Sequence, residues 1–186
     1  QALLHACPQV FTRPLQAATM RTVIALLAAT GMRIGEALRL TSGDINTAAE
    51  VLAIRASKRK DRLVPVHRST IEALMAYRDL PARTATHPAT TGPLLVSSRG
   101  TGYHRSTVES YFARIVTAAG LQPRGAAHPR LHDLRHTFAT AHMAAAYRGG
   151  GDPQRTLTLL STWLGHTSTA HTYWLRCLIP SGYEVQ

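Results

Sequence analysis

The segment LHDLRHTF (131–138) carries the densest chemistry in this chain. His132 and Arg135 stand three positions apart, so on a helix they share a face. A proton-transfer group beside a permanent cation suits phosphate chemistry, because one holds charge while the other moves a proton. His132 and His136, four apart, offer a second reading as metal ligands. Against it, the chain has no HExxH pattern, and Arg135 would set a positive charge against a bound cation. A third reading is the ordinary polar face of a surface helix.

Four other segments carry reactive residues. In ATGMRIGEALRL (29–40), Arg33 follows a glycine turn at a helix start, where backbone N–H groups point outward and an anion is favoured. The plainer reading is an exposed arginine paired with Glu36 or Glu50. In SKRKDRLVPV (57–66), Lys58 occupies a hairpin tip. A flexible ammonium there can reach into a groove and donate a proton; alternatively it is a solvated basic turn. LSTWLGH (160–166) ends a helix at Gly165 and places His166 just beyond, as a cap or as a hydrogen-bond donor to phosphate. HTSTAHTYWLRC (166–177) contains Tyr173, which is either a nucleophile or a core aromatic.

These residues need a frame, and the periodicity supplies one. Apolar spacing predicts helices over 15–29, 34–40, 105–119 and 132–147. Ser69, with Glu72 three residues on, predicts a capping box for a helix over 70–80. Asp152 and Pro153 form an N-cap and first helical position for a helix to about 164. EVLAIR (50–55) and RLVPV (62–66) read as the strands of a hairpin, with LLVSS (94–98) as one further short strand and SGDIN (42–46) as a turn. A last helix from about 167–169 would carry Tyr173. The fold class is therefore α+β, mainly α, with a small antiparallel sheet. Residues 1–14, interrupted by Pro8 and Pro14, read as a linker or truncated start, and 179–186 as an irregular tail.

The length of 186 residues suits one domain. The longest apolar run, VIALLAA (23–29), is too short to span a bilayer, so no membrane partner is expected. Cys7 and Cys177 are too few for a disulfide framework, which points to a reducing cytoplasm. The first residue is not Met, which reads as a fragment or a processed chain. The formal net charge is +11, and every basic residue except Lys58 and Lys60 is arginine. Such a balance favours a polyanion, most simply nucleic acid, and arginine suits bidentate phosphate contacts. A solvated basic surface is the plainer alternative.

Taken in order, TGMRIGEALRL, SKRKDRLVPV, LHDLRHTFAT, STWLGH and TYW resemble the motif set of the tyrosine-recombinase (phage integrase) catalytic domain. The resemblance runs from about residue 20 to 175 and implies a catalytic domain over 15–178. It also implies that an N-terminal DNA-binding domain, usual in such enzymes, is absent from this chain. The implied partner is double-stranded DNA, engaged by a homotetramer on paired sites, in site-specific recombination or integration for a phage, transposon or chromosomal system.

The resemblance implies a mechanism as well. A tyrosine hydroxyl attacks a phosphodiester, forming a 3′-phosphotyrosyl link and releasing a 5′-hydroxyl; a partner strand's 5′-hydroxyl reverses the step. Bond energy stays in the covalent intermediate, so no cofactor and no metal is implied. By motif match, Arg33 and Arg135 hold the non-bridging oxygens, Lys58 protonates the leaving oxygen, His132 exchanges a proton with the nucleophile and His166 donates to phosphate. Lys60 is the alternative lysine. The family's nucleophile lies nine residues after the second histidine, and here that position is Leu175. Tyr173 comes two residues early, a rotation of roughly 200° on a helix. A recombinase impaired by loss of its nucleophile is thus the alternative reading, and Tyr183 lies far beyond.

Overall fold

The structure is a computed structural model that describes residues 1–55, 61–121, 128–150 and 152–165. Its helices are α1 (Ala2–Val10), α2 (Pro14–Thr30), α3 (Ile34–Ala37), α4 (Arg68–Arg78), α5 (Pro81–Thr84), α6 (Arg105–Ala118), α7 (Leu131–Arg148) and α8 (Pro153–Leu164). Three short strands, β1 (Ile45–Asn46), β2 (Val51–Ile54) and β3 (Arg62–Pro65), form an antiparallel meander in the order β1-β2-β3. The mainly helical fold with a small antiparallel sheet is the one the periodicity implies.

α2 is the central element. Proline occupies its first position, where the missing N–H is no loss. Its apolar residues are too many for one stripe: Leu15, Met20, Val23, Ile24, Leu26 and Leu27 are all buried. A helix buried around much of its circumference needs cover on several sides, and α1, α4 and α7 supply it. Gly31 ends α2 at φ 63°, its N–H donating to the Leu27 carbonyl at 2.9 Å. This left-handed position favours glycine. It also brings the backbone so close that a Cβ would lie 2.5 Å from Phe138 and 2.9 Å from Leu164.

The sheet is fixed by alternation. Leu52 and Ile54 of β2 and Val64 of β3 point into the core, while Ala53 and Leu63 pair between them on the other face. Leu52 stands opposite Val64, and Ile54 opposite Arg62. α7 and α8 pack together through a second apolar cluster of Phe138, Ala139, Met143, Leu157, Leu160 and Leu164.

Several expectations need correction. The stretch 1–14 is not a linker: Ala2–Val10 is helical despite Pro8, buries Ala6 and Cys7, and packs against α2 and α6. Pro14 opens α2 rather than ending anything. Residues 94–98 form no strand; Leu94, Leu95 and Val96 are buried, with only the isolated bridges Thr41–Pro93 and Val96–Gly102. The turn at 42–46 contains β1 as its last two residues. α3 stops at Ala37, and α4 begins at Arg68 with His67 as its cap, accepting from the Ser69 N–H; Glu72 pairs instead with Arg68 at 3.1 Å. The Asp152 cap is as expected: its carboxylate accepts the Gln154 N–H at 2.8 Å. Among the described residues no helix is long and apolar enough to cross a membrane.

Candidate active site

Three helix boundaries meet at one place. The Gly31 turn sends the chain into α3 with Arg33 as its N-cap. Leu131 opens α7, which presents His132 and Arg135 from its first turns. α8 ends at Leu164, where Gly165 takes φ 63° and closes the helix. The closing residue of α8 supplies the acceptor that joins the other two. The Leu164 carbonyl accepts from Arg135 Nη2 at 2.7 Å and from Arg33 Nη1 at 3.3 Å.

Arg135 is buried, at 4% exposure. Its Nη1 donates to the Gly31 carbonyl at 2.7 Å. A buried guanidinium is costly unless its N–H groups are satisfied, and here two backbone carbonyls at helix ends, the negative ends of their dipoles, receive it. Arg33 is about a third exposed and faces a cleft of about 860 Å³. Arg39, Arg105, His128, Arg130 and His132 line the same cleft, with Glu36 and Glu109 as its acids. The cleft therefore presents a cationic wall to a ligand.

Glu36 is the hub beneath this wall. Its carboxylate accepts the Arg33 backbone N–H at 2.8 Å and Arg33 Nη1 at 3.3 Å. It also takes both Nη groups of Arg62, at 3.0 and 2.9 Å. Burial alone would raise the Glu36 pKa. The Arg62 hydrogen bonds, the Arg33 N–H and the two guanidinium charges outweigh it and hold the carboxyl down at about 2. Trp163 locks the same corner from below, its indole N–H donating to the Thr30 carbonyl at 2.9 Å.

His132 and His136 stack edge to face, their ring centres 4.6 Å apart. Desolvation, then the neighbouring His136 and Arg135, push the His132 pKa below its ordinary value, which favours the neutral ring. A neutral imidazole at the cleft wall can accept a proton. The Arg135 charge acts on both His132 and His136 and would likewise oppose a bound cation. Among the described residues no group of three or more His, Cys, Asp or Glu is gathered for a metal.

The structure thus brings Arg33, His132 and Arg135 together around the end of α8. Lys58, Lys60, His166, Tyr173, Leu175 and Tyr183 lie outside the described residues. Sequence reasoning missed Arg62, Trp163 and the Leu164 carbonyl, and saw Glu36 only as a partner for Arg33. Arg62 and Trp163 did lie inside quoted motifs. A backbone carbonyl leaves no mark in a sequence.

Comparison with known proteins agrees with this fold. The model described as the phage integrase family matches residues 1–175. The chain is 38% identical over 174 residues to y4rE of Sinorhizobium fredii, named as an integrase/recombinase, covering 92% of this chain and 55% of that protein. It is 34% identical over 152 residues to the tyrosine recombinase XerC of Pelobacter propionicus, covering 82% of this chain and 45% of that one. The crystal structure of XerA recombinase superposes with a TM-score of 0.74 at 30% identity, over 97% of this chain and 58% of that chain. The chain spans about half the length of the curated relatives it matches. The ordered motifs, the helical fold around a small sheet and the match over nearly all of its residues place one conclusion beyond the geometry alone: this chain belongs to the phage integrase family.

Proposed function

We propose that this chain is the catalytic portion of a site-specific tyrosine recombinase that cuts and rejoins duplex DNA. The observation that carries the reading is the meeting of Arg33 and the buried Arg135 on the Leu164 carbonyl, with Arg33 itself lining a cationic cleft. Two guanidiniums set at one point from two helices can grip the two non-bridging oxygens of a phosphate. As the phosphorus becomes five-coordinate those oxygens gain charge, and preset donors stabilise that charge without reorganising.

The step is then a simple transfer. A tyrosine Oη, with Tyr173 as the candidate, forms a bond to phosphorus as the bond to the 5′ oxygen breaks. His132, at the cleft wall, exchanges the tyrosine proton, Lys58 gives a proton to the leaving 5′ oxygen, and His166 donates to the phosphate. Reversal by another 5′-hydroxyl rejoins a strand. Four copies on paired sites would exchange strands between duplexes.

The basic charge makes a first test direct. Duplex binding should weaken at least tenfold between about 50 and about 200 mM salt; binding that ignores salt, or no binding, sinks the proposal. A second reading has its own observation: Leu175 stands nine residues after His166, where the family keeps its nucleophile. In that reading the chain binds DNA but does not cut. A nicked suicide duplex separates the two, since only a cutting chain becomes covalently joined to it.

A further inference from the structure

Arg62 opens β3, four residues past Lys58, and no motif role has been given to it. Its side chain bridges from the sheet to the end of α8. Nε donates to the Trp163 carbonyl at 2.9 Å. Nη1 and Nη2 donate in parallel to the two carboxylate oxygens of Glu36, at 3.0 and 2.9 Å. The Arg62 side chain is only 14% exposed and the Glu36 side chain 5%, so this is a clamp inside the protein rather than a surface pair. The backbone beyond α8 is shaped around it as well. A Cβ on Gly165 would lie 3.2 Å from Arg62 Nη1 and 3.3 Å from its Cζ.

One end of the clamp contacts a phosphate arginine, and the other lies one residue from the carbonyl on which both meet. Glu36 is the acceptor for the Arg33 N–H and Nη1. The Trp163 carbonyl neighbours that of Leu164, on which Arg33 and Arg135 meet. We infer that Arg62 is a positioning residue: it ties the start of α3 to the end of α8 and so sets Arg33 and Arg135 in the geometry that grips a phosphate. This inference rests on the proposal that those two arginines hold the scissile phosphate.

The chemistry asks for arginine and not merely for charge. Three donors in one plane serve two oxygens of a carboxylate and one carbonyl. A lysine at the same place keeps the charge but has one nitrogen, which cannot satisfy three acceptors in that geometry. Arg62→Lys therefore separates positioning from electrostatics.

The test uses the full chain with Arg62→Lys, and with Arg62→Gln should lysine fail to fold. Three quantities are read: guanidinium Nε order of Arg33 and Arg135 by NMR, the salt slope of duplex binding, and the rate of covalent adduct formation on a nicked suicide duplex. We expect Arg33 and Arg135 to lose order, the salt slope to stay within experimental error of wild type, and adduct formation to fall by about tenfold or more. In an Arg33→Ala background the same substitution should slow the adduct by a smaller factor than in wild type, because the part of its effect that passes through Arg33 is already lost. Unchanged arginine order in a folded Arg62 variant overturns the inference, as does an undiminished effect in the Arg33→Ala background. If wild type forms no adduct, the cleavage proposal fails on its own, and the NMR order still decides the role of Arg62.

Discussion

Glu36→Gln should convert the site's hidden ion pairs into a measurable pH dependence. Glu36 is 6% exposed and serves two arginines at once. Its carboxyl sits at about 2, against 4.5 when free. That gap is worth about 3 kcal/mol of stability at neutral pH, at about 1.36 kcal/mol per pH unit. The sign follows from the direction. A lowered pKa stabilises the fold above the free value, and the contribution drains away as pH falls from 4.5 toward about 2. Linkage gives roughly 3 kcal/mol at pH 7, roughly 2.5 at pH 4 and under about 1 at pH 2.5. Glutamine keeps the shape but cannot titrate, and it leaves Arg33 and Arg62 without a countercharge, which in buried pairs costs about 3–5 kcal/mol. Urea titrations of wild type and variant across this range would read the gap between them. A gap of about 3 kcal/mol at pH 7 that closes on acidification is expected. Equal midpoints at pH 7, or a gap that does not change with pH, would show that Glu36 is not the buried hub described here.

Other outcomes follow from single contacts. Gly31→Ala combines a left-handed φ with contacts of 2.5 and 2.9 Å to Phe138 and Leu164, and should cost about 2–5 kcal/mol, lowering Tm by roughly 5–20 °C in a melt. Gly120→Ala has the same handedness but nothing within 4 Å, so only about 1–2 kcal/mol is expected, and equal losses at both sites would deny the packing at Gly31. Arg135→Ala should slow adduct formation about 10²–10³-fold, read in single-turnover assays, and a loss under about threefold would remove it from the phosphate site. Arg33→Ala should lower the salt slope of duplex binding by about one, and an unchanged slope would mean that it meets no phosphate.

Much of this frame is visible before any coordinates. Asp152–Pro153 announces α8, Gly31 announces the end of α2, and the β2–β3 alternation announces the hairpin, because each is a local rule written in adjacent residues. What was hidden is tertiary. In sequence Pro8 looks like a break in α1, yet Ala6 and Cys7 are buried against neighbouring helices, and that burial outweighs the missing backbone bond. Leu94, Leu95 and Val96 look like a strand by composition, but they are buried without a continuous partner strand. In the site, the motif arginines were legible as cations and His132 as a proton carrier. Their meeting point was not, because the Leu164 carbonyl and the Arg62–Glu36 clamp exist only once distant segments fold together.

Function turns on whether the Arg33–Arg135 site cleaves DNA through a tyrosine. Incubating the chain with a nicked suicide duplex, then mapping any protein–DNA link by mass spectrometry, addresses it most directly. A 3′-phosphotyrosyl adduct on Tyr173, absent from Tyr173→Phe and formed in the presence of EDTA, is expected. A chain that binds the duplex in a salt-dependent way yet forms no adduct would contradict it, and would leave Leu175 as the mark of a lost nucleophile.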